Sequence, residues 1–227
     1  MKIMLSPSCF GEKEKTLFEH GKMSLSLFKY STGICGMTLK NARGYITVLP
    51  FKGFQVWRAC FDEHELVMKT LFDEPTQSTE YCKTYGAFLI HCGLTAIGNP
   101  DVAAGDTHPL HAELPNIGYD NAWAVCGEDE KGRYVELCGS CRYVFGFETG
   151  YEFRPTYRLY ENGTTFDVHN EIENLRGCRQ EYSYMCHMNF RPVDGSKLVY
   201  SAKTENIYLH ELVPDTLTDD EQKKLKD

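Results

Sequence analysis

Two histidines sit in segments whose composition suits proton chemistry. His111 lies in Thr107-His108-Pro109-Leu110-His111-Ala112-Glu113-Leu114-Pro115-Asn116, and His187 in Tyr184-Met185-Cys186-His187-Met188-Asn189-Phe190. Imidazole titrates nearest neutral pH, so a converging pair suits proton transfer to and from a neutral substrate. Asn116 and Asn189 carry amides that can donate to or accept from hydroxyls, and Glu113 is close enough in sequence to orient His111. Trp123 offers a flat aromatic face for stacking. Arg58, in Val-Trp-Arg-Ala-Cys, is a further candidate to reach a hydroxyl or an acidic group. Each has a bland alternative. A strand histidine can be a satisfied core residue, Asn116 can cap a turn, and Trp123 can be core. His108 reads as surface or supporting, and His91, after Phe-Leu-Ile, as a buried structural residue.

The elements that must position these residues are strands. Tyr151, Phe153, Pro155, Tyr157 and Leu159 alternate with polar residues, then Glu161-Asn162-Gly163-Thr164 intervenes before Phe166, Val168 and Ile172. Asn-Gly between alternating runs is a strong hairpin signal, because both residues tolerate positive φ. A second hairpin is predicted around Glu128–Gly132. Further strands are expected at 23–30, 44–49, 54–61, 65–71, 87–92, 182–190 and 197–201. One short helix is predicted at Asp219–Lys226, opened by the capping box Thr218-Asp-Asp-Glu221. Many short strands joined by turns predict an all-β sandwich or barrel, read as a single domain over 1–227. The Gly-, Pro-, Asn- and His-rich stretch 93–121 interrupts the pattern. Long loops of this kind are mostly functional or disordered, and this one carries His111.

The chain has 227 residues and a net charge of −8. Neither nucleic acid nor an anionic membrane is expected as a partner for so acidic a chain. No apolar run approaches the roughly 20 residues needed to span a bilayer as a helix. Ten cysteines are scattered through apolar stretches. They read as reduced thiols of a cytoplasmic protein rather than a disulfide framework, which belongs to small secreted chains. Cys138-Gly-Ser-Cys141 lacks a second ligand pair at zinc-site spacing and reads as plain strand cysteines.

Three segments resemble one family. Leu110-His111-Ala112-Glu113-Leu114-Pro115-Asn116, followed by an Ala122-Trp123 strand, is similar to the first histidine motif of the galactose mutarotase-like (aldose 1-epimerase) superfamily. Glu161–Asn174 resembles the paired strands before the second histidine, and Cys186-His187-Met188-Asn189-Phe190 its His-x-Asn-Phe motif. The resemblance spans about residues 20–210 and is nearest the poorly characterised aldose 1-epimerase-like branch. It implies a β-supersandwich holding a sugar in an open cleft, with no cofactor and no metal. In the family the second-motif histidine protonates the ring oxygen and the first-motif histidine orients the sugar, so His187 would be the acid and His111 the helper. Asn189, Asn116, Glu113, Trp123 and Arg58 would then be the sugar-binding candidates.

The chain departs from the family at its end. Family members continue well beyond residue 227, and the glutamate that serves as general base lies in that continuation. No glutamate here matches it. The expectation is a fragment, or a shortened relative without its base, that exposes a sheet edge or apolar face and self-associates. The leading reading is a carbohydrate-binding mutarotase-like isomerase. The alternatives are a non-catalytic carbohydrate-binding or regulatory protein on the same fold, or a cupin-like metal protein using His108, His111, Glu113 and His187.

Overall fold

The computed structural model describes residues 1–207 and 217–226. The period-two patterns become strands: β1 (Lys2–Leu5), β2 (Lys15–His20), β3 (Met23–Lys29), β4 (Cys35–Lys40), β5 (Gly44–Val48), β6 (Val56–Phe61), β7 (His64–Glu65), β8 (Leu89–Leu94), β9 (Asn121–Asp129), β10 (Gly132–Phe145), β11 (Thr149–Tyr160), β12 (Phe166–Asn174) and β13 (Ser183–Met188). They form two antiparallel sheets. One has five strands in the order β1-β9-β10-β11-β12. The other has eight, in the order β13-β8-β6-β5-β4-β3-β2, with β7 paired to β6. The fold is therefore an all-β sandwich. The chain divides into two compact units, Met1–Arg191 and Pro192–Asp227, and the sandwich lies wholly in the first.

Both predicted hairpins form. Asp129 faces Gly132 across the β9–β10 turn, and Leu159 faces Phe166 in β11–β12. On β11 the residues Tyr151, Phe153, Tyr157 and Leu159 are buried between the sheets, while Glu152, Arg154 and Arg158 point outward. Pro155 lies inside this central strand. It has no N–H for the ladder, and the β10–β11 pairing skips from Cys138–Thr156 to Cys141–Phe153 there. Cys138 and Cys141 are free, buried strand residues on opposite faces of β10, and burial pushes their thiols up to about 11 and about 12.

Some strand expectations need correction. The run 65–71 is a strand only at its start; beyond β7 it keeps a single bridge, Val67 to Phe190. The run 197–201 pairs with no strand among the described residues, and Leu198 and Val199 are exposed. Strands β1, β2 and β4 were not among the expected ones. In the second unit the predicted helix α1 (Asp219–Lys226) forms, and Thr218 donates from both its amide and its hydroxyl to Glu221. No helix among the described residues is long and apolar enough to cross a membrane.

The main core lies between the sheets, and one histidine is at its centre. His91 on β8 is fully buried against Phe153 and Tyr157. Its Nδ1 and Nε2 each lie 2.7 Å from a tyrosine hydroxyl, those of Tyr184 and Tyr157 respectively. β12 and β13 each end a sheet, and Asn170 of β12 donates to Tyr184 of β13 at 2.9 Å. Along this side Phe88 packs on Phe166 and Phe190. Phe190 is 58% exposed and Ile172 39%, so apolar side chains are exposed along this side among the described residues.

Candidate functional site

A second apolar cluster covers the outer face of the larger sheet. On β8, Leu89 and Leu94 belong to the core between the sheets, whereas Ile90 and Cys92 join Leu49, Trp57, Tyr81 and Ala87 outside it. On β13, Met185 packs on this outer cluster while Tyr184 and Cys186 face inward. His187, two residues from Met185 and opposite Ile90 in the ladder, points outward with them. The period of the strand therefore delivers His187 to a face that already has an apolar floor.

His111 arrives from the loop between β8 and β9. It takes a left-handed backbone, φ 59°, and so does Ala112, φ 59°. For an L-residue this conformation costs about 1–2 kcal/mol, and the surroundings hold it in place. His111 N–H donates to Gly98 O at 3.0 Å, Gly98 N–H donates to His111 Nδ1 at 3.1 Å, and Gly93 N–H donates to His111 O at 3.0 Å. Strain of this kind gathers at functional positions. Replacing Ala112 by Gly should relieve its share and raise stability by about 0.5–1 kcal/mol, read as a higher urea midpoint at unchanged slope. A lower midpoint would show that Ala112 is not strained.

The Gly98 bond also fixes a proton. Nδ1 accepts, so the neutral ring carries its hydrogen on Nε2. Burial, and then His187 nearby, hold the His111 pKa below the ordinary histidine value. At neutral pH His111 is thus a neutral donor. The His111 and His187 rings lie 5.9 Å apart between centroids. Tyr81 packs on His111 at 4.9 Å, and Tyr85 sets its ring perpendicular to His187 at 5.6 Å. Two imidazoles and two phenols gather aromatic edges and donor groups in one place, a combination suited to a small polar molecule with an apolar face.

Several of the other candidates point their groups into the protein, toward the segment that carries the two tyrosines. Asn116 Nδ2 donates to Thr79 O at 3.1 Å and Thr84 Oγ1 at 3.2 Å. Arg58 donates to Gly86 O at 3.0 Å, Trp57 O at 2.8 Å and Phe72 O at 3.2 Å, and lies over the Trp57 ring. Asn189 Oδ1 accepts from Tyr85 O–H at 2.7 Å, and its Nδ2 donates to Ala87 O at 3.0 Å. Lys52 joins them through Ser78 O at 2.7 Å. Each of these four side chains makes at least one hydrogen bond to segment 78–87, and together they position it.

Glu113 does not orient His111. Its carboxylate accepts from Leu94 N–H at 2.9 Å, from the Thr95 hydroxyl and from the Tyr151 hydroxyl, which ties the end of β8 to β11. It lines a separate cleft of about 590 Å³ with His108, Tyr143 and Gln180. Trp123 alternates with core residues Ala122 and Ala124, so it lies on the outer face of the five-stranded sheet, beneath Lys2 Nζ at 4.3 Å. No three His, Cys, Asp or Glu side chains among the described residues gather as a metal site. The set proposed for a cupin-like centre is not brought together.

Tyr81 and Tyr85 are the site residues that sequence reasoning missed. They lie in and just after a 3-10 turn (Tyr81–Lys83), where no periodicity marks them. The usable signal was local: the aromatic pair in Tyr81-Cys-Lys-Thr-Tyr85 just before the β8 strand.

Three comparisons bear on the chain. A crystal structure from Klebsiella pneumoniae, described as a "putative aldose 1-epimerase", superposes with a TM-score of 0.67 over 79% of this chain at 14% identity. At that identity the likeness is one of fold. The chain spans about half of that protein, 52% of its length. No curated protein matches the chain by sequence. The model of a family described as a domain of unknown function, DUF4432, matches residues 31–214, most of the sandwich included, and the chain belongs to that family.

Proposed function

We propose that the chain binds a small aldose at the His111–His187 pair and interconverts its anomers by acid–base ring opening. The observation that carries this reading is the convergence of the two rings to 5.9 Å from separate elements of the sheet and loop. Ring opening needs a proton delivered to the ring oxygen as the C1–O5 bond breaks. It also needs the anomeric hydroxyl proton removed as the C1 carbonyl forms, and this proton passes to solvent water. His187, as the imidazolium, supplies the first proton and is left neutral. His111, a neutral Nε2–H donor, hydrogen-bonds a sugar oxygen and orients it. Rotation about C1–C2 and the reverse steps return the other anomer with no net change in protons. Each such transfer is worth on the order of 10²–10⁴ in rate.

A second reading has its own support. Among the described residues the hydrogen-bond partners of the two rings include no carboxylate to serve as base. A sugar-binding protein without turnover fits that observation. Exchange NMR on aldoses labelled at C1 separates the two. Cross-peaks between α and β anomers above the buffer rate are expected for an epimerase. Line broadening without exchange supports binding alone. Neither effect, across hexoses and pentoses, would sink both readings.

A further inference from the structure

The polarity of one hydrogen-bond chain is fixed by a backbone group, and it ends at His187. Ala87 O can only accept, so the Asn189 amide must present Nδ2 to it, at 3.0 Å. That leaves Oδ1 facing Tyr85, at 2.7 Å. Oδ1 can only accept, so the Tyr85 hydroxyl must spend its single proton there. What Tyr85 offers His187 Nε2, at 3.5 Å, is lone-pair density alone. An imidazole nitrogen facing an acceptor carries the hydrogen. His187 Nδ1 is buried and without a hydrogen-bond partner among the described residues. Nothing there competes for the proton.

We infer that Tyr85 is a positioning residue for His187: oriented by Asn189 and Ala87, it holds the His187 proton on Nε2. The inference concerns the neutral resting ring and stands apart from the proposed function, in which the proton delivered to the sugar comes from the imidazolium. It gives Tyr85 and Asn189 a role that contact with substrate does not require. Asn189 is 6% exposed and both ends of its amide are used within the protein. Tyr85 sets its ring perpendicular to the imidazole, with its oxygen 3.5 Å from Nε2.

The test is ¹⁵N NMR of the histidine-labelled 227-residue chain at a pH well above the ordinary histidine value. The wild-type ring is expected as the Nε2–H tautomer. Tyr85→Phe removes the acceptor, and the ratio of Nε2–H to Nδ1–H should fall about 3- to 10-fold, the worth of one neutral hydrogen bond. Asn189→Ala frees the Tyr85 hydroxyl to turn and donate to Nε2, so the tautomer should move further toward Nδ1–H. A merely structural role for Tyr85 would give no reason for the second variant to outdo the first. An Nδ1–H ring in the wild type overturns the inference without any variant. So does an unchanged tautomer ratio in folded Tyr85→Phe. Where anomer exchange is measurable, Tyr85→Phe should lower kcat more than it changes KM. A chain with no exchange at all but the expected tautomers would defeat the epimerase reading and leave this one standing.

Discussion

Acidification from pH 7 to pH 3 is expected to remove on the order of 5 kcal/mol of folding stability through one side chain, His91. Burial with no charged partner holds its pKa at about 3, against about 6.5 in an unfolded chain. The folded pKa is the lower one. Above about 6.5 neither state binds the proton and the stability is fully present. Between about 6.5 and 3 only the unfolded state takes it up, and stability falls by up to about 1.4 kcal/mol per pH unit. Below about 3 both states are protonated and the loss levels off. The neutral ring fits its setting: Tyr157 O–H donates to Phe54 O at 2.6 Å, so its oxygen accepts from His91 Nε2–H, while Nδ1 accepts from Tyr184. His91→Gln keeps one donor and one acceptor but does not titrate. Urea unfolding of both proteins at stepped pH isolates the term, since the carboxylates are common to both. A His91→Gln protein that loses stability as steeply as the wild type over this range would refute the assignment.

The same residue shows what the sequence could carry. His91 follows three apolar residues, and that context placed it in the core. The sandwich was legible for a similar reason: in β11 a one-residue change of register would have turned four core side chains to solvent, so the alternation had to be strict. β4 was not read although Cys35, Met37 and Leu39 alternate with Gly36, Thr38 and Lys40; it is buried along nearly its whole length. β2 is half exposed and breaks register beside Thr16, which blurs its period. At the site, His187 could be read because a strand fixes where alternate residues point. His111 was read from the long irregular loop that carries it and from the resemblance of its motif. Its left-handed backbone, and the Gly98 contact that selects its tautomer, are tertiary and leave no local mark. Asn116, Asn189 and Arg58 were read by chemical type as sugar ligands. Type alone cannot tell a group facing a cleft from one that bonds the segment forming the cleft wall.

Replacing His187 by Ala is expected to lower the anomer-exchange rate on the order of 10²–10⁴-fold, with little change in sugar affinity. The asymmetry follows from the roles. A proton delivered as the C1–O5 bond breaks stabilises the transition state and does little for the bound ground state. His111→Ala should behave differently. Its Nε2–H contacts the sugar before and during reaction, so both affinity and rate should fall, the affinity by about 3- to 10-fold for one neutral hydrogen bond. The double variant should be little slower than His187→Ala alone, since residues acting on one step are not additive. Acid should mimic the loss of His111. Its folded pKa is depressed, so protonation, as pH falls below the ordinary histidine value, places a hydrogen on Nδ1 against Gly98 N–H and breaks the contact that seats the ring. Sugar affinity should therefore weaken on the acid side in wild type and stay flat in His111→Ala. Titration calorimetry across that range, alongside exchange NMR on the same proteins, reads both effects. If His187→Ala left brisk exchange intact, the proton donor would have to be another group, and the convergence of the two rings would no longer carry the mechanism.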